Sequence, residues 1–170
     1  MKPNTIIIVL IVGVAFVGLF ALGYYQKGAT RENLQSADSA NNSKSLLTAS
    51  ETPYDFGSIS MKNGNVNKIF KITNPTDKDI TVKKIATSCM CTNAYIVKGN
   101  SEIGPFGMEG MGHSPTANEI IKAGESIDLK VVYDPNAHGP AGVGQIDRFV
   151  TLADVQGGTL ELQIKAMVTP

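Results

Sequence analysis

The chain has 170 residues, no tryptophan, two cysteines and a formal net charge of zero from 15 basic and 15 acidic residues. That length admits one folded core plus appendages. The balanced charge, with no basic stripe, excludes nucleic acid as a partner, and two cysteines one residue apart cannot staple a small disulfide-built fold.

Ile6 to Gly23 is uninterrupted apolar residue or glycine, without a charge. Spanning a bilayer takes roughly 20 such residues, and Tyr24-Tyr25 follow where an interfacial aromatic pair belongs. Residues 1–25 are therefore expected to form one N-terminal transmembrane helix. The run is longer than a signal-peptide core, which favours a retained anchor. The small residues of Ala21-Leu22-Gly23 keep a cleaved, secreted form as the alternative. No cysteine stands beside the run, so a lipoprotein anchor is excluded. Lys2 on one flank nearly balances Lys27 and Arg31 on the other, so the positive-inside count gives no orientation. A short flank before a first apolar segment is the usual layout of a signal anchor, and it places the C-terminal part outside the cytoplasm of a single-pass protein. Residues 26–50 are rich in Ser, Asn, Ala and Thr and read as a flexible polar linker.

From residue 51 the pattern turns to short β-type runs between turn signals. Tyr54 to Ile59 comes first, with Tyr54 and Phe56 in the inward phase, and Lys62-Asn63-Gly64-Asn65 makes a turn. Val66 to Thr73 puts Val66, Phe70 and Ile72 on one face and Asn67 and Lys71 on the other, with Ile69 breaking the alternation. Asn74-Pro75-Thr76-Asp77 turns the chain into the strand Ile80–Ile85. Ala94–Val97, Ile127–Tyr133, Phe149–Leu152 and Leu160–Val168 follow, the last with Leu160, Leu162, Ile164 and Ala166 facing one way. No helical periodicity appears after residue 30. About seven short strands at this spacing predict an all-β, antiparallel two-sheet sandwich over residues 51–170.

Two segments carry sulfur. Ser88-Cys89-Met90-Cys91-Thr92 holds both cysteines. An inserted Gly/Met-rich loop, about residues 98–119, holds Met108, Met111 and His113. A loop that long inside a compact domain is uncommon and tends to be functional. If Cys89 and Cys91 lie in an extended strand, their side chains share a face and the sulfurs point together. Strand parity puts the ends of 80–85 and 127–133 at one edge. If 94–97 crosses the sheet fully, the inserted loop starts at the opposite edge, and Met108 must reach back to meet the cysteines. The same parity sets His138, in Pro135-Asn136-Ala137-His138-Gly139-Pro140, nearer to them, as an exposed turn histidine or a minor candidate ligand.

Tyr54-Asp55-Phe56-Gly57, Phe70 with Asn74, Ser88-Cys89-Met90-Cys91-Thr92, and Ile121-Lys122-Ala123-Gly124-Glu125 stand in the order of a bacterial family. Over residues 51–170 the chain resembles domain-of-unknown-function family 1573. The resemblance implies an immunoglobulin-like sandwich, commonly exported, with no established chemistry. Two departures stand out: Met90 replaces a glycine between the cysteines, and the inserted loop is an addition that the family does not account for.

Thiolate, thioether and imidazole are the donors that soft Cu(I) prefers. Cys89, Cys91, Met108, Met111 and His113 are the candidate metal ligands, with copper, as Cu(I), the expected cofactor. Zinc can use Cys89, Cys91, His113 and His138, but that set leaves the methionines unexplained. Calcium fits poorly, with only Glu102, Glu109 and Glu119 as nearby carboxylates. No catalytic constellation is legible, so a non-enzyme is expected. The leading expectation is a membrane-tethered, extracytoplasmic domain that handles copper. The alternatives are a structural or protein-interaction module, its partner unnamed, and a thiol–disulfide redox module using Cys89 and Cys91. A lone Cys-x-Cys is equally consistent with a purely structural pair, and the loop with a cap on the sandwich edge.

Overall fold

The structure, a computed structural model, describes residues 43–112 and 115–170, all within the compact unit Asn41–Pro170. The expected membrane span and His113 lie outside the described residues. Among these residues no helix is long and apolar enough to cross a membrane.

Eleven strands are described: β1 Ser43–Lys44, β2 Thr48–Ala49, β3 Tyr54–Ser60, β4 Val66–Thr73, β5 Ile80–Thr87, β6 Thr92–Lys98, β7 Ser101–Phe106, β8 Thr116–Ile121, β9 Ser126–Tyr133, β10 Gly144–Asp154 and β11 Gly158–Thr169. They form two sheets. One runs β1-β11-β10-β5-β8, with β3 also on β11, and the other runs β2-β4-β9-β6-β7. The all-β, two-sheet expectation holds, with more strands than the seven anticipated. Most pairings are antiparallel, as expected. The exceptions are β1 and β3, which both pair with β11 in parallel.

Alternation along each strand follows from the two-residue period of extended chain. Phe70 and Ile72 of β4 and Leu129 and Val131 of β9 meet Val82, Ile85, Val150, Leu152, Leu162 and Ile164 of the other sheet, all fully buried. Ile69, which interrupted the pattern, is 49 % exposed. It stands on the outer face of β4, so the phase of the strand is unbroken. Tyr54 packs edge-on against Phe56 and Phe70, with ring centroids 5.0 and 6.4 Å away.

The Tyr-Asp-Phe-Gly motif is a bulge in β3. The register against β11 shifts between Lys165 and Met167, Gly57 has a φ of 69°, and Asp55 Oδ1 accepts from its amide at 2.8 Å. A bulge with a left-handed residue selects glycine. Asn74 and the Ala-Gly-Glu motif form one unit. Asn74 is 0 % exposed. Its Nδ2 donates to the carbonyls of Lys78 and Ile121, and its Oδ1 accepts from Thr76. Its backbone pairs with Gly124 and Glu125.

Two expected boundaries move. Residues 43–50, assigned to the linker, contain β1 and β2, with Leu47 2 % exposed. Ser45 Oγ donates to Asp154 Oδ2 at 2.7 Å, so a polar segment is fixed here by long-range partners that local composition does not reveal. The inserted loop of 98–119 is also not one loop. It contains β7 and the start of β8, leaving a connection of residues 107–115. β7 is an exposed edge strand with a proline, the place where a sheet tolerates one.

Candidate functional site

The cysteines lie in the turn between β5 and β6 and not in an extended strand, so the condition under which their side chains share a strand face is not met. Thr92 N donates to the Cys89 carbonyl at 3.1 Å, closing a tight turn. Buried Thr87 braces it from below, its Oγ1 3.0 Å from the carbonyl oxygens of both Cys89 and Thr92. Ser88 locks the entry to β10: its amide donates to the Phe149 carbonyl, and its Oγ accepts from the Phe149 amide, both at 2.9 Å. The sulfurs meet because the chain reverses between them. Cys89 and Cys91 are joined as a disulfide, with their Cα atoms 5.2 Å apart.

His138 sits beside this turn. β6 and β9 are antiparallel neighbours, with Thr92 opposite Tyr133, so the chain leaving β9 emerges next to the cysteines. The Asp134 amide donates to the Cys91 carbonyl at 2.9 Å. Asp134 Oδ1 accepts from the Asn136 amide at 2.8 Å, and Asn136 Nδ2 donates to the Met61 carbonyl at 2.9 Å. This sets the exposed His138 ring with Nε2 3.1 Å from Cys89 Sγ. One potential donor atom each from Cys89, Cys91 and His138 lies within 4.8 Å of the others. The sequence had ranked His138 below His113. Strand parity was the signal that found it.

Arg148, on β10, was not singled out at all. Its Nε donates to Cys91 Sγ at 3.3 Å, across a sequence separation that no local pattern reveals. Its other contact anchors the fork, Nη1 to the Asp147 carbonyl at 2.8 Å. The two sulfurs differ in environment. Cys91 is 1 % exposed and Cys89 partly buried. Tyr133, fully buried beside them, has its phenol pushed above its usual range. Burial is the main cause, opposed by the Arg148 charge and reinforced by Asp134.

The expected methionine ligands come to the same end of the sandwich. β7 runs back antiparallel to β6, with Phe106 opposite Ala94, so the 107–115 connection begins at the cysteine end. Thr87 N donates to the Gly107 carbonyl at 3.2 Å and Ile85 N to that of Pro115 at 2.7 Å. The full crossing by β6 is therefore undone by β7, and the expected obstacle disappears. Met108, 38 % exposed, lines an open groove of about 510 Å³ together with Thr87 and Ser88. Glu109 at its rim pairs with Lys84. Met111 is 46 % exposed.

No curated protein matches the sequence. Among solved structures, the chain is similar to a protein of unknown function from Porphyromonas gingivalis W83, with a TM-score of 0.52 and 17 % identity, covering 79 % of this chain and 51 % of that one. It spans about half that protein's length, and the likeness shows the fold alone. The secreted serine protease VesC from Vibrio cholerae gives a TM-score of 0.46 at 14 % identity, covering 73 % of this chain and 24 % of that one. The ASH/PapD-like domain 7 of human CEP192 gives 0.43 at 11 %, covering 74 % and 87 %. Residues 47–106 match the family described as protein of unknown function (DUF1573), the family to which the sequence motifs pointed.

Proposed function

We propose that this is an immunoglobulin-like domain that, with its cysteines reduced, holds one soft metal ion, Cu(I), and handles copper outside the cytoplasm, tethered through the apolar run 6–23. The observation that carries the reading is the convergence of Cys89, Cys91 and His138 donor atoms within 4.8 Å of one another. Two thiolates and an imidazole form a soft set. Three such donors suit an ion of low coordination number, and they also match an open zinc site with three protein ligands, so Zn(II) is the competitor to test. Arg148 beside Cys91 offsets the excess negative charge of two thiolates on a monovalent ion. Met108, which lines the groove that Ser88 also lines, is the candidate for a weaker thioether contact, and Met111, three residues on, is the second. The disulfide is the closed form, since neither sulfur then carries the charge that ligation needs.

The test is an anaerobic Cu(I) competition titration of the reduced full-length chain, run beside Zn(II). Cys89→Ser and Cys91→Ser are expected to abolish tight binding. His138→Ala is expected to weaken it by removing the imidazole donor. Met108→Leu and Met111→Leu weaken it less, while volume-conserving changes of this kind cost under about 1.5 kcal/mol of stability. A parent chain that loses Cu(I) to a weak competitor ends the copper reading.

A further inference from the structure

We propose that the Cys89–Cys91 pair is a directional thiol–disulfide exchange centre, in which an incoming thiol attacks Cys89 and Cys91 departs beside Arg148. This activity goes beyond metal binding and does not require it.

Access selects the sulfur attacked. Cys91 is 1 % exposed, under the turn and against Thr92, whose Oγ1 stands 3.7 Å from its sulfur. Cys89 is only partly buried and is followed by Met90, 48 % exposed. A nucleophile arriving from solvent therefore reaches Cys89 first.

Charge selects the sulfur that leaves. Exchange rates depend on which sulfur is attacked and on how readily the other departs. When the bond opens, Cys91 takes the negative charge. Arg148 Nε already donates to that sulfur at 3.3 Å. The ion pairs among the described residues belong to Lys68, Lys84, Lys98 and Lys130, so no carboxylate there competes for this guanidinium. Hydrogen bonds to a charged partner are the stronger kind. The departing sulfur thus meets a cation already in place.

A thiolate RS⁻ bonds to Cys89 Sγ as the Cys89–Cys91 bond breaks, and that bond's electron pair passes to Cys91 Sγ. The products are the mixed disulfide RS–S–Cys89 and a Cys91 thiolate beside Arg148. A second RS⁻ then attacks the R sulfur and releases RSSR and the Cys89 thiolate, next to His138 Nε2. Two thiols are oxidised and the protein disulfide is reduced. In reverse, the dithiol reduces a disulfide. The substrate class is thiols and disulfides, carried by a small molecule or by a protein.

The experiment exposes the oxidised full-length chain to limiting glutathione with a metal chelator present, quenches with acid, and locates the adduct by fragment mass spectrometry. The expected adduct is on Cys89. A parallel arm uses reduced thioredoxin at equal thiol concentration. Faster opening by thioredoxin assigns a protein thiol as the natural source, and faster opening by glutathione assigns a small one. Arg148→Gln is expected to slow opening about tenfold, the scale of a lost hydrogen bond to a charged group, and Arg148→Lys to recover much of it, with circular dichroism confirming the fold of both. An adduct on Cys91, or equal adducts on both sulfurs, overturns the direction. Opening of Arg148→Gln at the parental rate overturns the role of the arginine. A folded chain whose disulfide resists both reagents overturns the activity. The metal titration uses fully reduced chain, so it stands or falls separately.

Discussion

The Asn74 turn and the cysteine turn are built alike and used differently. Each rests on a buried polar side chain that ties backbone groups together: Asn74 at 0 % exposure and Thr87 at 7 %. In the first, the side chain at the centre is also the whole content of the turn. Asn74 meets Lys78, Ile121 and Thr76, and its backbone meets Gly124 and Glu125, so the hydrogen bonding there is closed in on itself. In the second, Thr87, Ser88, Thr92 and Asp134 hold the backbone, including the carbonyls of Cys89 and Cys91, and of the backbone groups only the Cys91 amide turns to a sulfur, donating to Cys89 Sγ at 3.3 Å. The cysteine turn is thus positioned mainly through backbone carbonyls, and its sulfurs are left to other partners, His138 and Arg148. On the exchange chemistry proposed above, the disulfide opens and closes while the bonds to those carbonyls stay made.

That separation can be broken in order of expected effect. The largest belongs to Asn74→Ala. It leaves the buried carbonyl of Ile121 and the amide of Thr76 without their side-chain partner, while the exposed Lys78 carbonyl keeps Thr76 Oγ1 at 2.9 Å, and each buried group left unsatisfied costs about 1–3 kcal/mol. A loss of about 3 kcal/mol or more in denaturant unfolding is expected, with the Cu(I) affinity of the folded fraction unchanged. Thr87→Val comes next. It keeps shape and removes the single hydroxyl hydrogen shared between two carbonyls, for about 1–3 kcal/mol, and it loosens the cysteine turn, so Cu(I) affinity is expected to fall as well. If Asn74→Ala weakens binding as much as Thr87→Val does, the two turns are not independent and the comparison fails.

The smallest effect sharpens the electrostatics of the cysteine end. The phenol of Tyr133 is raised above its ordinary value of 10.0, chiefly by burial. The folded state therefore holds that proton more tightly than the unfolded state. The resulting stability is fully present below the unfolded value and is lost as pH climbs through it toward the folded one. Tyr133→Phe is expected to lack this component of alkaline destabilisation. Unfolding curves of parent and variant from about pH 9 to 11 measure it, and parallel loss in both sinks the assignment to Tyr133.

What the sequence made legible follows from the range of each interaction. Strand phase is local, so Phe70, Ile72, Leu160, Leu162 and Ile164 were readable, and even Ile69 proved regular. Sheet partners are not local. Ser43 to Ala49 looked like linker because its strands depend on β11 and β4. Ser101–Phe106 looked like loop because an exposed edge strand carries little apolar signal. At the site, both cysteines were evident by type, and parity brought His138 near them. Arg148 left no trace, because its contact to Cys91 depends on the pairing of β10 with β5.

The parallel pairing of β1 and β3 with β11 bears on the order in which the domain is made. The strands at 43–44 and 54–60 have their register partners at 158–159 and 164–169. Synthesis runs in one direction, so the earliest strands of the domain wait for the latest. Until β11 exists, β3 has an open flank where its partner belongs, and the apolar edge left by Tyr54, Phe56 and Ile59 has only part of its cover. Contacts of such long separation are slow to close, and exposed strand edges in partly made chains invite aggregation. The last strand is thus the clasp of the domain, and a chain stopped short of residue 158 lacks the edge on which β1 and β3 lie.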